Sequence, residues 1–279
     1  KEGLVHPSDL YTHLHFTCKL ETVFPYLYVM YKYDTSSPTV DMPALMDEAL
    51  NKYLDPFERD HARFLYDNPP ASFPLITLSL DLNGKYIGAS HRRRSASVYF
   101  LSEVTSSAGF LRIKPSTGTL RLTLSCHQVL ADTPFTLEVW GSDTPPTATD
   151  AVWQDLIIPA DTEKATLPPP IKAKMISTEL HTHTRHSDGQ FTFKELNENL
   201  QAIGIEGFAM TDHNTQSPYD GYDFTGRPVI RGMEWTTFWG HLLVLGGEPV
   251  DWRVHTPETF SEQLVKLKGD GKAIGIAHP

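Results

Sequence analysis

Long apolar runs are missing from this 279-residue chain. The longest candidate, Phe24 to Tyr33, is interrupted by Pro25 and Lys32 and falls well short of the roughly 18–20 residues that span a bilayer. No membrane partner is expected. Cysteine is nearly as scarce. Cys18 and Cys126 stand far apart, each inside an alternating, strand-like stretch. Two buried free thiols fit that placement better than a disulfide and suit a reducing compartment, so a cytoplasmic protein is expected. No signal peptide is visible; the first residue is Lys1, so the true start is expected upstream, where a signal peptide removed earlier could also have stood. Positive charge is also in deficit, with 24 Lys and Arg against 34 Asp and Glu. A nucleic-acid surface needs clustered cations, so none is expected beyond a nucleotide-type substrate. The one basic cluster, His91-Arg92-Arg93-Arg94, reads as a solvated turn between two strands.

What is present is enough apolar material, 40% of residues, to build real cores. The length predicts two domains of about 150 residues each. Residues 1–142 read mainly as strands. His13 to Leu20 alternates, with Leu14, Phe16, Cys18 and Leu20 on one face, and Pro25 to Tyr33 is a second, aromatic strand. Met42 to about Tyr66 shows three- and four-residue steps and predicts a helix, interrupted near Pro56. Strands return at Leu75 to Leu82, followed by Asn83-Gly84, the strongest short hairpin signal. Further strands are expected over Ser97–Glu103, Gly109–Lys114, Thr119–Cys126 and Phe135–Trp140. Short strands with regular turns indicate an antiparallel β-sandwich. The sandwich carries its own H-x-H, His13 and His15, but Leu20 stands where an acidic partner would be needed. These two are read as a polar strand face, and no catalytic residue is expected in this half.

Residues 143–173 form a proline-rich linker, with Pro145-Pro146 and Pro168-Pro169-Pro170 stiff and extended. Trp153 to Ile158 is a possible short strand against either neighbour. From residue 174 onward the pattern changes to strands alternating with helices. Strands are expected at Met175–His183, Gly207–His213, Pro228–Trp235, His241–Gly246 and Ala273–Ala277. Helices are expected at Phe193–Ile203, capped by Thr192 with Glu195, and at Pro257–Leu267, capped by Thr256. Such alternation predicts a parallel sheet with crossover helices.

The strand ends carry the chemistry. His181 and His183 are two residues apart, and in an extended strand both imidazoles point to one side. Asp188 follows in a short polar turn. Then come His213, beside Asp212, then Glu234, and then His278. Parallel α/β folds build sites at the carboxyl ends of their strands. Imidazole mixed with carboxylate suits Zn²⁺, Mn²⁺ or Fe²⁺, and the ligands are too many for one tetrahedral ion. Two or three divalent transition-metal ions are expected, with Glu234 bridging. Asp212 is read as orienting a neighbour, whereas His186 and His255 have no supporting spacing and are read as surface residues.

His181-Thr182-His183 with Ser187-Asp188-Gly189, Thr211-Asp212-His213-Asn214, Glu234 and Ala277-His278-Pro279 together resemble the polymerase-and-histidinol-phosphatase (PHP) family. Glu234-Trp235-Thr236-Thr237 with Gly240-His241-Leu242-Leu243-Val244-Leu245-Gly246 resembles its carbaryl-hydrolase-like branch. The resemblance covers residues 175–279 and, less closely, the sandwich around Asn83-Gly84-Lys85-Tyr86-Ile87-Gly88. It implies a distorted (β/α)7 barrel, about five strands of which are present, and a phosphoesterase acting on a small-molecule phosphate ester. It implies His181, His183 and Glu234 at one ion and at the centre of catalysis. His278 and His241 would hold the second ion, and Asp188 and His213 the third. It also implies an Asp-x-His motif that would lie beyond Pro279, so a C-terminally incomplete barrel is expected. Metal-assisted attack of water on phosphorus is the expected reaction, with Arg185 and Asn214 as candidate phosphate-binding residues. Hydrolysis of a carbamate or other ester at the same ions is the alternative. A non-catalytic module built on a degenerate barrel is the other.

Overall fold

The computed structural model describes residues 1–36, 73–92, 95–146, 157–158, 176–220, 228–247 and 251–278, with isolated positions between 44 and 56. The expected helix from Met42 to Tyr66 and most of the linker lie outside the described residues. Among those described, no helix is long and apolar enough to cross a membrane.

The N-terminal half forms two antiparallel sheets. One has the order β1-β9-β3-β6-β7-β10 and is built from Glu2–Val5, Thr133–Ser142, Tyr26–Tyr33, Ala96–Leu101, Ser106–Ser107 and Ile157–Ile158. The other has the order β2-β8-β4-β5, from His13–Leu20, Gly118–Gln128, Leu75–Leu82 and Lys85–Ser90. Alternation places Val29, Tyr31, Ile76, Leu78, Leu80, Leu120, Leu122 and Leu124 in a shared core, all buried. Asn83-Gly84 turns β4 into β5 with both residues at positive φ, 52° and 79°, the geometry of a type I′ hairpin. Cys18 and Cys126 are free thiols. The short strand in the linker, β10, joins the sandwich by pairing with β7.

One expected strand is absent. Gly109 takes a φ of 92°, and the segment after it bonds to two different neighbours, Leu111 to Ile87 and Ile113 to Ser102. A chain divided in that way cannot form a ladder with either.

The sheet β2-β8-β4-β5 departs from the usual sandwich in being covered on both sides. On its polar face Thr77, Ser79, Asp81, Thr123 and Ser125 are buried like the apolar face, whereas His15, Thr17, Lys19 and Arg121 toward the β2 side are exposed. The cover is the C-terminal half. Arg253 donates through Nη2 to Asp81 Oδ1 at 2.8 Å, and both side chains are almost fully enclosed. Trp252 Nε1 donates to Tyr86 Oη, which donates in turn to the Asn214 carbonyl. His13 is buried, its Nδ1 2.8 Å from Ser125 Oγ and its Nε2 3.2 Å from the Val254 carbonyl. His15 is exposed, so the two are a polar strand face whose first member is pinned beneath the other half.

The C-terminal half is an open five-stranded sheet, ordered β11-β12-β13-β14-β15, from Thr178–Thr182, Gly207–Met210, Val229–Thr237, Gly240–Leu245 and Ala273–Ile276. Helix α1, Phe193–Ala202, has Thr192 and Glu195 in a reciprocal capping box, and α2, Pro257–Gly269, is capped by Thr256. The described residues form no closed barrel. The sheet is also not wholly parallel. β11, β12 and β13 run together, but β14 is antiparallel to β13 and to β15. The reason is the connection: only Phe238 and Trp239 separate β13 from β14, which allows a hairpin and excludes a crossover helix.

Burial pushes the His13 imidazole down to about 3. The unfolded chain takes up a proton as pH drops through 6.5, whereas folded His13 does not until about 3. Its contribution is therefore complete above pH 6.5 and lost below. Folding stability from urea titration should be about 2 kcal/mol lower at pH 5 than at pH 7 from this group alone. His13→Gln should flatten that part of the slope.

Candidate metal centre

The reversal of β14 decides how the site is assembled. β11, β12, β13 and β15 point their carboxyl ends to one edge of the sheet, and β14 begins at that same edge. His241, the second residue of β14, lies opposite Thr236 near the end of β13. A histidine at a strand start thus joins those at strand ends.

Glu234 sits at the middle of this edge with its side chain 1% exposed. Its Oε2 lies 2.9 Å from both His181 Nε2 and His183 Nε2. Its Oε1 lies 2.7 Å from His241 Nδ1 and 3.2 Å from His278 Nε2. His213 completes the ring, with Nδ1 3.5 Å from Oε2 and 2.5 Å from Thr236 Oγ1. Asp188 bridges on the outer side, 3.4 Å from His183 Nδ1 and 3.5 Å from His213 Nε2. All seven residues expected as ligands therefore come together.

Burial would push the Glu234 carboxyl up, but hydrogen bonds from His183, His241 and His181 hold it far below the usual range. Asp188 is likewise held low, against burial, by His213 and His183. Burial disfavours a charged His183, yet its bond to Glu234 and the Asp188 and Asp212 carboxylates leave its pKa raised.

The donor set fits metal ions. His181 Nε2 and His183 Nε2 are 3.0 Å apart, and each is 2.9 Å from the same carboxylate oxygen. Donors held about 2.0–2.1 Å from one ion are separated by roughly 2.9–3.4 Å, so this triangle has the edge length of a coordination polyhedron. A ring nitrogen without its proton has no favourable bond to a second one, and a cation between them removes that conflict. Among the described residues, three groups have ligand atoms mutually within 4.8 Å: His181/His183/Glu234, His183/Asp188/His213 and His213/Glu234/His241. They share His183, His213 and Glu234, as a site for adjacent ions would.

The turn carrying Asp188 is built from buried polar groups. Asp212 accepts from Thr184 N and Oγ1, both at 2.9 Å, and from Ser187 Oγ at 2.7 Å. Gly189 doubles the chain back so closely that a Cβ there would meet the His183 carbonyl oxygen at 2.4 Å.

The two candidate phosphate-binding side chains are engaged with main-chain groups. Asn214, at a φ of 54°, spends its amide on the main chain of Thr236, donating to its carbonyl and accepting from its N–H, each at 2.9 Å. Arg185 is exposed and donates through Nε to the Gln190 carbonyl. His186 is buried, not superficial, with Nδ1 2.7 Å from Ser217 Oγ. His255 is exposed and edges against His13.

The sandwich also reaches the cluster, through two histidines that the sequence reading did not single out. His91, just after β5, lies with its ring 4.3 Å from that of His213, and His127 from β8 lies 5.5 Å behind it. Burial lowers the pKa of both, that of His127 to about 3. The sequence signal was present: both histidines stand at strand ends. It was hidden because nothing in the local spacing relates them to His213.

No family model matches the chain, and no curated protein matches it. Among solved structures, one of a protein from Sulfurospirillum deleyianum aligns with 51% of this chain and 98% of its own, at 7% identity and a TM-score of 0.20.

Asp212→Ala removes the acceptor of three hydrogen bonds without touching a candidate ligand other than through the turn. It should lower stability by about 1.5–3 kcal/mol or more, the range for bonds to a buried charged group. Loss of Asp188 from its place should appear as weakened binding of the last metal ion in a titration.

Proposed function

We propose that the chain is a metal-dependent hydrolase acting on phosphate esters, with two or three Mn²⁺, Zn²⁺ or Fe²⁺ ions held at the sheet edge. The observation that carries this reading is Glu234, an enclosed carboxylate touched on both oxygens by four imidazoles from three strands or strand ends. His181 and His183 with Glu234 would hold one ion. Glu234 with His241 and His278 would hold a second, and Asp188 with His213 the outermost. On this reading the sheet is a portion of the distorted barrel of the PHP family that the motifs resemble.

Bound there, the ions would supply Lewis acidity toward a phosphoryl oxygen and a lowered pKa for water. The chain's own part is to fix them. Thr236 accepts or donates at His213 Nδ1, which selects the nitrogen left for a ligand, and Asp212 stiffens the Asp188 turn. Such outer contacts set ring orientation and basicity. Among the described residues, His278 and Asp188 are the exposed members, side chains 54% and 53% accessible.

The test is elemental analysis of purified protein together with turnover of an aryl phosphate and of an aryl ester or carbamate. At least two transition-metal ions per chain and preference for the phosphate are expected. Glu234→Ala and His181→Ala should each lower turnover by more than the about 10–100-fold typical of losing an outer contact. Both should leave the far-ultraviolet spectrum of the β-rich fold in place. Full activity in both variants would sink the assignment. Preference for the carbamate would move it to the other hydrolytic reading, and absence of both metal and turnover would leave a binding module.

A further inference from the structure

We infer that His91, supplied by the N-terminal sandwich, is a substrate-binding residue of the centre, hydrogen-bonding an oxygen of the oxyanion bound at the ions. The inference rests on the proposed phosphate-ester reading for the class of ligand, and on independent geometry for the residue.

His91 belongs to the centre by position. Its ring is 4.3 Å from His213 at an interplanar angle of 32°, and 6.4 Å from His241. It is not placed as another metal ligand. It lies partly over the His213 ring, and none of the three groups of mutually close donors includes it. It therefore forms a wall beside the donors.

The wall has an unanswered group. His91 Nδ1 is enclosed and has no hydrogen-bond partner among the described residues. Leaving an enclosed polar nitrogen unpaired costs about 1–3 kcal/mol. Its two neighbours avoid that cost, His213 through Thr236 and His127 through Thr77 Oγ1 at 3.2 Å. A neutral imidazole offers one N–H and one acceptor, and the centre it adjoins is where a ligand rich in acceptor oxygens would sit.

The segment is also held in register with the ligands. Arg92 Nη2 donates to the carbonyls of Arg185 at 3.2 Å and Gly189 at 3.1 Å, on either side of Asp188. Gly109, which neighbours β5, is tied to Thr215 and Ser217 at 2.8 and 3.1 Å. His91 is thus fixed relative to Asp188 and His213, as a residue that positions a ligand must be.

Two substitutions separate the roles of the ring. His91→Phe keeps a flat ring against His213 and removes both nitrogens, whereas His91→Asn keeps a donor on a shorter arm. The full-length protein loaded with Zn²⁺ is examined by elemental analysis, by calorimetric titration with inorganic phosphate, and with an aryl phosphate. Metal content should be unchanged in both variants. Phosphate affinity should drop about tenfold in His91→Phe and less in His91→Asn, the size of one lost hydrogen bond to a charged group. Wild-type phosphate affinity in both variants, with metal retained, would overturn the inference and leave the phosphoesterase reading standing. Loss of an ion in either would also overturn it, by making His91 a ligand. A metal-loaded wild type that neither binds phosphate nor turns over the ester would defeat the phosphoesterase reading, and the oxyanion role of His91 with it.

Discussion

An ionised carboxylate enclosed by protein is tolerated only when its charge is answered locally. Glu234 is that carboxylate, and much of the C-terminal half can be understood as the answer. Three separate chain segments deliver four imidazole nitrogens to its two oxygens at 2.7–3.2 Å, and a fifth imidazole, from another segment, stands at 3.5 Å. Imidazoles alone are a poor answer, because each offers a single proton when neutral and five positive rings would repel one another. Cations shared among them would satisfy the carboxylate and the rings together. Under the proposed function, the metal-free centre is the strained state and the loaded centre the relaxed one, which couples metal binding to stability.

The sequence made the candidate cluster legible but not the sheet that gathers it. The H-x-H spacing in a strand, the Asp-Gly turn and the histidines and glutamate at strand ends are local facts, and local periodicity preserves them. Strand direction is not local. The pattern from Val229 to Leu245 looks like two more strands of a βα alternation, and only the two-residue connection at Phe238-Trp239 reveals a hairpin. That single reversal converts His241 from a residue at the wrong end of its strand into one at the same edge as the rest. The place of the Asn214 side chain was hidden for a related reason. It pairs with the main chain of Thr236, a long-range contact that no motif encodes.

The sandwich was legible as a sandwich and illegible as a partner. An alternating strand such as β4 ordinarily means one face on the core and one in water. Here the second face of β4 is also covered, with Asp81 and Thr123 meeting Arg253 and His13 meeting the Val254 carbonyl. Composition cannot distinguish polar residues facing solvent from polar residues facing another element. The buried ion pair of Arg253 with Asp81 shows what the second arrangement requires: each charge must meet a specific counterpart, so the interface is directional where an apolar one would slide.

That directionality bears on the site itself. A sheet docked through oriented hydrogen bonds and ion pairs has one register on its partner, and the loops at its end acquire fixed coordinates. Tyr86 on β5 reaches the carbonyl of Asn214, immediately after His213, while Arg92 clasps the turn around Asp188. Both contacts flank His91 along the same piece of chain, and both end beside a candidate ligand. A flexible tether between halves would leave His91 free to wander by more than the length of a hydrogen bond. The polar docking face removes that freedom, and so the burial of Thr77, Ser79 and Asp81 belongs to the construction of the centre as much as to the stability of the fold.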